Sequence, residues 1–211
     1  MQDEYILKTI RAYNNSPQKY IQATKDMLPI VDLNKFLQSL APNSLILDAG
    51  CGYGRDTNYI LHRGFNAAGI DLSEKLLEEA NKLYPGILFQ KMDIRQLHYP
   101  ENHFDGIWCH AALHHLNLPD IKKSLLEFRR VLKTGGVLFV SFKEGNNTTQ
   151  EVDDSLTCSD PRFYTFLTSD MLRNILIEVG FNVKEVEKVN ERLRFGNGKR
   201  NINWIHVLAS K

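Results

Sequence analysis

The sequence predicts an α/β fold with a doubly wound, mainly parallel sheet, and three observations predict it. Beyond the first forty or so residues, short β-branched or apolar runs alternate with amphipathic helical stretches, the pattern of βαβ units. A glycine-rich turn, Gly50-Cys51-Gly52-Tyr53-Gly54, follows the first of these runs directly and leads into a helix. Acids then close the second and third runs, Asp71 in Gly69-Ile70-Asp71 and Asp93 in Lys91-Met92-Asp93.

The elements follow in order. Glu4 to Tyr13, a segment begun by Pro17 and running to Met27, and Val31 to Leu40 are all helix-compatible. The strands of the sheet are expected at Leu45 to Leu47, Ala67 to Ile70, Leu88 to Lys91, Phe104 to Trp108 and Val137 to Phe142. Ser73 caps a helix over Lys75 to Tyr84, and Pro119 opens another that Gly135 and Gly136 end. Each crossover helix packs back on the sheet. Gly145 to Pro161 is polar and acidic and reads as a mobile surface loop. Thr168 caps a helix to Val179, stopped by Gly180, and Asn182 to Val189 with Trp204 to Ala209 alternate like a closing hairpin. The expected organisation is a single domain over 1–211: N-terminal helices forming a lid over 1–43, a βαβ core over 44–143, a mobile loop on the acceptor side over 144–167, and a C-terminal helix and hairpin over 168–211.

The bulk properties exclude several classes. At 211 residues, 43% hydrophobic and 24% charged, the chain can bury a sizeable core and is neither disordered nor membrane-embedded in composition. No apolar run approaches the roughly 18 residues of a spanning helix. The start, MQDEYILKTIRAY, lacks a signal peptide's basic and apolar regions, so a cytoplasmic location is expected. A net charge of +1 gives no global pull toward nucleic acid or anionic lipid. Three cysteines, Cys51, Cys109 and Cys158, without a C-x-x-C pair, indicate free thiols.

The turn carries the chemistry. In a doubly wound sheet a nucleotide-like ligand docks where the first strand ends, and glycine lets the backbone approach it. Asp71, about 20 residues on, is placed to accept from ribose hydroxyls. Asp93 is placed to meet an adenine amine. The dinucleotide fingerprint wants a third glycine where this chain has Arg55, and Asp48 before the turn would repel phosphates while favouring an ammonium and sulfonium. The turn therefore fits S-adenosylmethionine better than a nicotinamide dinucleotide.

These residues resemble the class I methyltransferases, the seven-stranded Rossmann-like family that binds S-adenosylmethionine. The likeness spans nearly the whole chain: Leu47-Asp48-Ala49-Gly50-Cys51-Gly52-Tyr53-Gly54, Gly69-Ile70-Asp71-Leu72-Ser73, Asp93, Phe104 to Leu116, and Leu132-Lys133-Thr134-Gly135-Gly136-Val137-Leu138. A narrower likeness, to small bacterial methyltransferases of the tellurite-resistance and type 11-like kind, rests on Gly54-Arg55-Asp56, Ser141 to Gly145, Arg162-Phe163 and Trp204 to Val207. The resemblance implies an antiparallel last strand lying between its neighbours, an N-terminal helical lid, and S-adenosyl-L-methionine as cofactor. It assigns donor contacts to Tyr20, Asp48, Gly50, Cys51, Gly52, Arg55, Asp71, Leu72, Met92, Asp93, Ile94, Cys109 and His110, the last two through their backbones. Tyr13 resembles a second lid aromatic.

Methyl transfer is an in-line displacement on an already activated methyl, so positioning dominates and a base matters only for a protonated nucleophile. His114 is the candidate base, with structural packing against the turn as its other role. Cys109, His110, His114 and His115 match no zinc spacing, so no metal is expected. Arg162 has two readings, a clamp on a carboxylate or a surface charge. The basic run Lys188, Arg192, Arg194, Lys199 and Arg200 reads as a solvated hairpin tip or as a phosphate contact. The expected partner is a small-molecule acceptor, with no membrane, in a monomer or homodimer. A transfer RNA substrate of the wobble-uridine type and a non-catalytic donor-binding module are the competing readings.

Overall fold

The computed structural model describes residues 3–146, 148–152, 157–196 and 199–211. Seven strands form one sheet: β1 (Leu45–Ala49), β2 (Asn66–Asp71), β3 (Phe89–Lys91), β4 (Phe104–Cys109), β5 (Leu132–Lys143), β8 (Asn182–Asn190) and β9 (Asn203–Ser210). Their order is β3-β2-β1-β4-β5-β9-β8. The first five run parallel, and β9 lies antiparallel between β5 and β8. The chain winds outward from β1 to β3 and then returns to β4 on the other side of β1, so the carboxyl ends of β1 and β4 flank a topological switch point.

The helices are α1 (Glu4–Asn15), α2 (Pro17–Thr24), α3 (Ile30–Gln38), α4 (Arg55–His62), α5 (Glu74–Leu83), α6 (Leu118–Val131), α7 (Ser169–Glu178) and the short α8 (Glu191–Phe195). The expected caps are present: Ser73 accepts from the Leu76 amide and Thr168 from the Met171 amide. One apolar core joins α6 and α7 to the sheet through Ile121, Leu125, Phe128, Leu172 and Leu176. The other joins α3 and α4 through Leu33, Phe36 and Ile60 to Trp108 and Phe139. No helix among the described residues is long and apolar enough to cross a membrane.

Three expectations are corrected. Gly135 and Gly136 do not end α6; the helix stops at Val131, and Leu132, fully buried, starts β5, which contains both glycines. Part of the expected loop is a strand, β6 (Thr148–Val152), pairing antiparallel with β7 (Arg162–Phe166). Its residues are too polar to announce a strand, and the partner β7 supplies the order by packing on α1, where Tyr5 meets Phe163 at 4.4 Å. Residues 153–156 of that segment lie outside the described ones. The basic run is not merely a solvated tip, because Glu191–Phe195 is helical, with the Asn190 side chain accepting from the Leu193 amide.

Candidate active site

The turn after β1 is held tightly. The Gly50 and Cys51 amides donate to the Ile70 carbonyl at 2.8 and 2.9 Å. Gly50 has φ +85°, and a Cβ there would lie 2.3 Å from that of Ala112, so this glycine serves the close approach of the loop after β4. Gly54 likewise makes room for Phe89. Only Gly52 faces open space: a Cβ on it would meet nothing nearer than 3.8 Å, from Leu76 and Tyr20. The cradle for a ligand is therefore Gly52, with the other two glycines shaping the bend.

Two cavities meet over this bend. The smaller is lined by Asp71, Leu72, Met92, Asp93, Ile94 and Leu116, among others. The larger when the open mouths are counted, about 930 Å³ against about 770 Å³, is lined by Asp48, Cys51, Arg55, His114, Lys143 and Trp204, with His206, Arg194 and Arg200 on its far wall. Tyr13, Tyr20, Gly50, Gly52 and His110 border both. Thirteen of the fourteen predicted residues thus converge. Cys109 does not: it is fully buried in the core, where burial pushes its thiol up. Cys51 and Cys158 are also buried and free.

In the smaller cavity, Asp71 accepts from the Gly52 amide at 2.9 Å and the Ser73 amide at 2.8 Å. Burial still raises its carboxyl above the usual range, with those bonds opposing. Its remaining lone pairs suit paired hydroxyls. Asp93 is clamped by Arg95, whose Nη2 donates at 2.7 Å. Arg95 is also bound to Asp3 and Asp120, so Asp93 is more constrained than an adenine contact alone would require.

The larger cavity gathers charge. Asp48, 2% exposed, accepts from Thr57 Oγ1 at 2.6 Å, and burial beside Asp56 pushes its carboxyl up to about 8. Asp56 is buried too, but Arg55 at 2.7 Å, His110 and the Trp108 indole hold it below the usual range. Arg55 also donates to the Thr24 carbonyl at 2.7 Å, joining the turn to α2. His110 stacks between the Trp108 and Trp204 rings, and burial lowers it to about 4, so it is neutral near pH 7. Ala111, next along, sits at φ +58°, a strained conformation of the kind concentrated at functional sites.

The N-terminal helices bring more than aromatics to the cavities. Tyr13 and Tyr20 meet edge-on at 5.1 Å. Arg162 is not a surface charge: it is 2% exposed and donates from Nη1 to the Tyr13 hydroxyl at 2.7 Å and from Nη2 to Thr157 Oγ1. His114, 2% exposed, lies 3.2 Å from His115 through their Nε2 atoms, while its Nδ1 has no hydrogen-bond partner among the described residues. Leaving such a buried polar atom unmet costs about 1–3 kcal/mol.

Sequence reasoning underrated the far wall. His206 Nδ1 lies 3.0 Å from Asp32 Oδ1, and Arg194 Nη1 lies 2.8 Å from Asp32 Oδ2. Arg200 is paired to the buried Glu191, which also accepts from the Trp204 indole at 3.1 Å. Lys143, 7% exposed, rests 3.8 Å over the Tyr164 ring. The sequence holds one sign of this wall, Asn190 and Gly196 bracketing a helical turn. No group of three or more His, Cys, Asp or Glu residues able to hold a metal ion occurs among the described residues.

Residues 47–140 match the methyltransferase domain family. The chain is 30% identical over 165 residues to phosphoethanolamine N-methyltransferase of Plasmodium falciparum, covering 76% of this chain and 59% of that protein. It is 31% identical over 135 residues to 2-methyl-6-phytyl-1,4-hydroquinone methyltransferase of Synechocystis, covering 61% of this chain and 42% of that one. The chain belongs to the class I S-adenosylmethionine-dependent methyltransferases. It spans less than two thirds of the length of either of these two curated relatives. The methyltransferase fold is shared with a Burkholderia thailandensis 1,6-didemethyltoxoflavin N1-methyltransferase holding 1,6-didemethyltoxoflavin and S-adenosylhomocysteine, at a TM-score of 0.74, 19% identity, and coverage of 100% and 90%. A methyltransferase of Methanosarcina mazei superposes at 0.73 with 20% identity, covering 87% of this chain and 97% of that one. The bend at Gly50 to Gly54 lies within the matched residues, and the wall built by α8 and β9 lies outside them.

Proposed function

We propose that the chain transfers the methyl group of S-adenosylmethionine to a small-molecule acceptor held in the larger cavity. The observation that carries this reading is the meeting of two recesses over one bend. One is apolar with a carboxylate at its rim, suited to a nucleoside; the other is aromatic and charged, suited to a second reactant. The residues fit the donor. Asp71 offers lone pairs to ribose hydroxyls, Leu72, Met92 and Ile94 line the apolar walls for a base, and the buried Asp48 and Asp56 favour a cationic tail. A pyrophosphate would meet those carboxylates at a cost, which argues against a dinucleotide.

The bound donor supplies a methyl already activated by the positive sulfonium. The chain's own residues orient and enclose. Tyr13 and Tyr20 cover the junction of the cavities, and His110, neutral and stacked, forms the partition. Closure of this sort excludes water and fixes a near-attack geometry. The relatives' names support a small acceptor: phosphoethanolamine and a hydroquinone in the curated pair, 1,6-didemethyltoxoflavin in the Burkholderia protein. Against RNA, Arg194 and Arg200 face Asp32 and Glu191 within the cavity wall instead of forming an outward phosphate track.

Calorimetric titration with S-adenosylmethionine and S-adenosylhomocysteine, followed by an acceptor screen scored by S-adenosylhomocysteine formation, tests the reading. Donor binding with turnover of a small acceptor is expected. Tight donor binding without product from amines, phenols, heterocycles or acids would favour the non-catalytic module instead.

A further inference from the structure

The far wall of the larger cavity is built on one carboxylate. Asp32, buried in the first turn of α3, meets His206 Nδ1 with Oδ1 at 3.0 Å and Arg194 Nη1 with Oδ2 at 2.8 Å. Burial opposes its ionisation, but the His206 hydrogen bond and the Arg194 charge outweigh burial and hold the carboxyl below the usual range. An ionised carboxylate can only accept, so His206 carries a hydrogen on Nδ1. In the neutral ring Nε2 is then a lone pair, and it makes no hydrogen bond among the described residues. His206 lines the larger cavity and Asp32 does not, so the ring edge turned away from Asp32, which carries Nε2, is the one that faces the cavity.

Arg194 is the matching half. Its pair with Asp32 is a contact of charges alone, for neither Nη1 nor Oδ2 makes a hydrogen bond among the described residues. A guanidinium offers five N–H donors in one plane. This one, largely buried and lining the cavity, gives none of them to a described residue, whereas Arg55 and Arg200 direct theirs to Asp56 and Glu191. An acceptor atom and a set of donors therefore stand side by side, on the two oxygens of the same carboxylate. Met27, Pro29, Val189, Phe195 and Trp204 add apolar and aromatic lining to the cavity.

We propose, resting on the methyltransferase reading above, that Arg194 and His206 form the subsite that selects the acceptor, and that it takes the edge of a carboxamide or lactam. The carbonyl oxygen receives N–H bonds from Arg194, and the amide N–H donates to His206 Nε2. This group is a recognition handle, and the methylated atom lies elsewhere on the molecule, toward the bend. A ketone lacks the N–H and leaves Nε2 unmet. A carboxylate brings lone pairs to both partners and meets the Asp32 charge behind them. The acceptor class is thus a neutral, largely flat molecule with an amide edge. Arg194 and His206 determine specificity and take no part in the transfer step.

Long-range 1H–15N spectra of the histidine-labelled full chain at pH 8 should show His206 protonated on Nδ1 and bare on Nε2. With S-adenosylhomocysteine bound, benzamide and 2-pyridone should shift the Nε2 signal. Benzamide should also bind at least about tenfold more tightly than acetophenone or benzoate, which share its shape. Arg194→Lys keeps the charge beside Asp32 without the planar fork, and His206→Asn keeps an N–H toward Asp32 without the ring Nε2. Each should bring benzamide within about threefold of acetophenone and benzoate, while S-adenosylhomocysteine affinity by calorimetry stays within about twofold. If either variant fails to fold, the wild-type series decides alone. A protonated Nε2 at pH 8, equal binding of benzamide and benzoate, no binding of either amide, or a preference surviving in both variants overturns the proposal with donor binding intact. Failure of donor binding in the wild type overturns the underlying reading, and the two failures are distinct.

Discussion

Donor binding should be linked to the ionisation of Asp48. In the donor-free chain, burial next to Asp56 holds this carboxyl at about 8, far above a free aspartate. A sulfonium or ammonium close by favours the carboxylate and lowers an aspartate by about 1–3 units. Between the lowered value and pH 8, binding must then expel a proton, and observed affinity should rise by up to about tenfold per pH unit until the carboxyl is already ionised. For a lowering of about 2 units, from about 8 to about 6, the gain between pH 6 and 8 is about 25-fold, or about 1.9 kcal/mol. The stability of the donor-free fold runs the other way. A carboxyl raised on folding binds more protons in the native state, so its contribution to stability falls as pH rises from about 4 toward 8. Calorimetry at pH 6, 7 and 8, in buffers of unlike ionisation enthalpy, measures both affinity and proton release. Asp48→Asn keeps the shape and removes the titration, while the donor's own amino group, which titrates nearby, is common to both proteins. Identical pH slopes in wild type and Asp48→Asn, or no proton release, would refute the link.

Other expectations are as concrete. Asp71→Ala should cost about 1.5–3 kcal/mol of donor affinity by calorimetry, since it removes the ribose acceptor and also leaves the Gly52 and Ser73 amides unmet. Gly50→Ala should lower stability by about 2–4 kcal/mol in denaturant unfolding, from a left-handed backbone and the contact with Ala112. Glu191→Gln, which breaks a pair whose carboxylate is 2% exposed, should cost about 3 kcal/mol and lower Tm. Transfer RNA should not be retained at low salt; salt-sensitive retention lost on neutralising Arg192, Arg194 and Arg200 would revive the RNA reading.

The half of the site we assign to the donor was legible because its signals are local. Strand, turn and cap follow one another within a few residues from Leu45 to Arg55 and from Gly69 to Ser73, and each acid sits where its own strand ends. The acceptor half depends on register. Trp204 and His206 reach the cavity because β9 pairs Lys143 with Trp204 and Ser141 with His206, and Arg194 is drawn inward by Asp32, some 160 residues earlier. No window of sequence contains that partnership. Thr148 to Val152 failed for a related reason: nothing apolar alternates there, and order comes from Arg162 to Phe166 across the ribbon.

The route from Arg162 through Tyr13 and His115 to Phe163 joins three pieces distant in sequence: the first helix, the loop after the fourth strand, and the accessory ribbon. This chain of contacts is thus an assembly property, complete only when all three are seated together. An entry path that unseats the first helix would break it at Tyr13, and reseating the helix would restore it. Loading the pocket and closing this chain of contacts would then be one mechanical event.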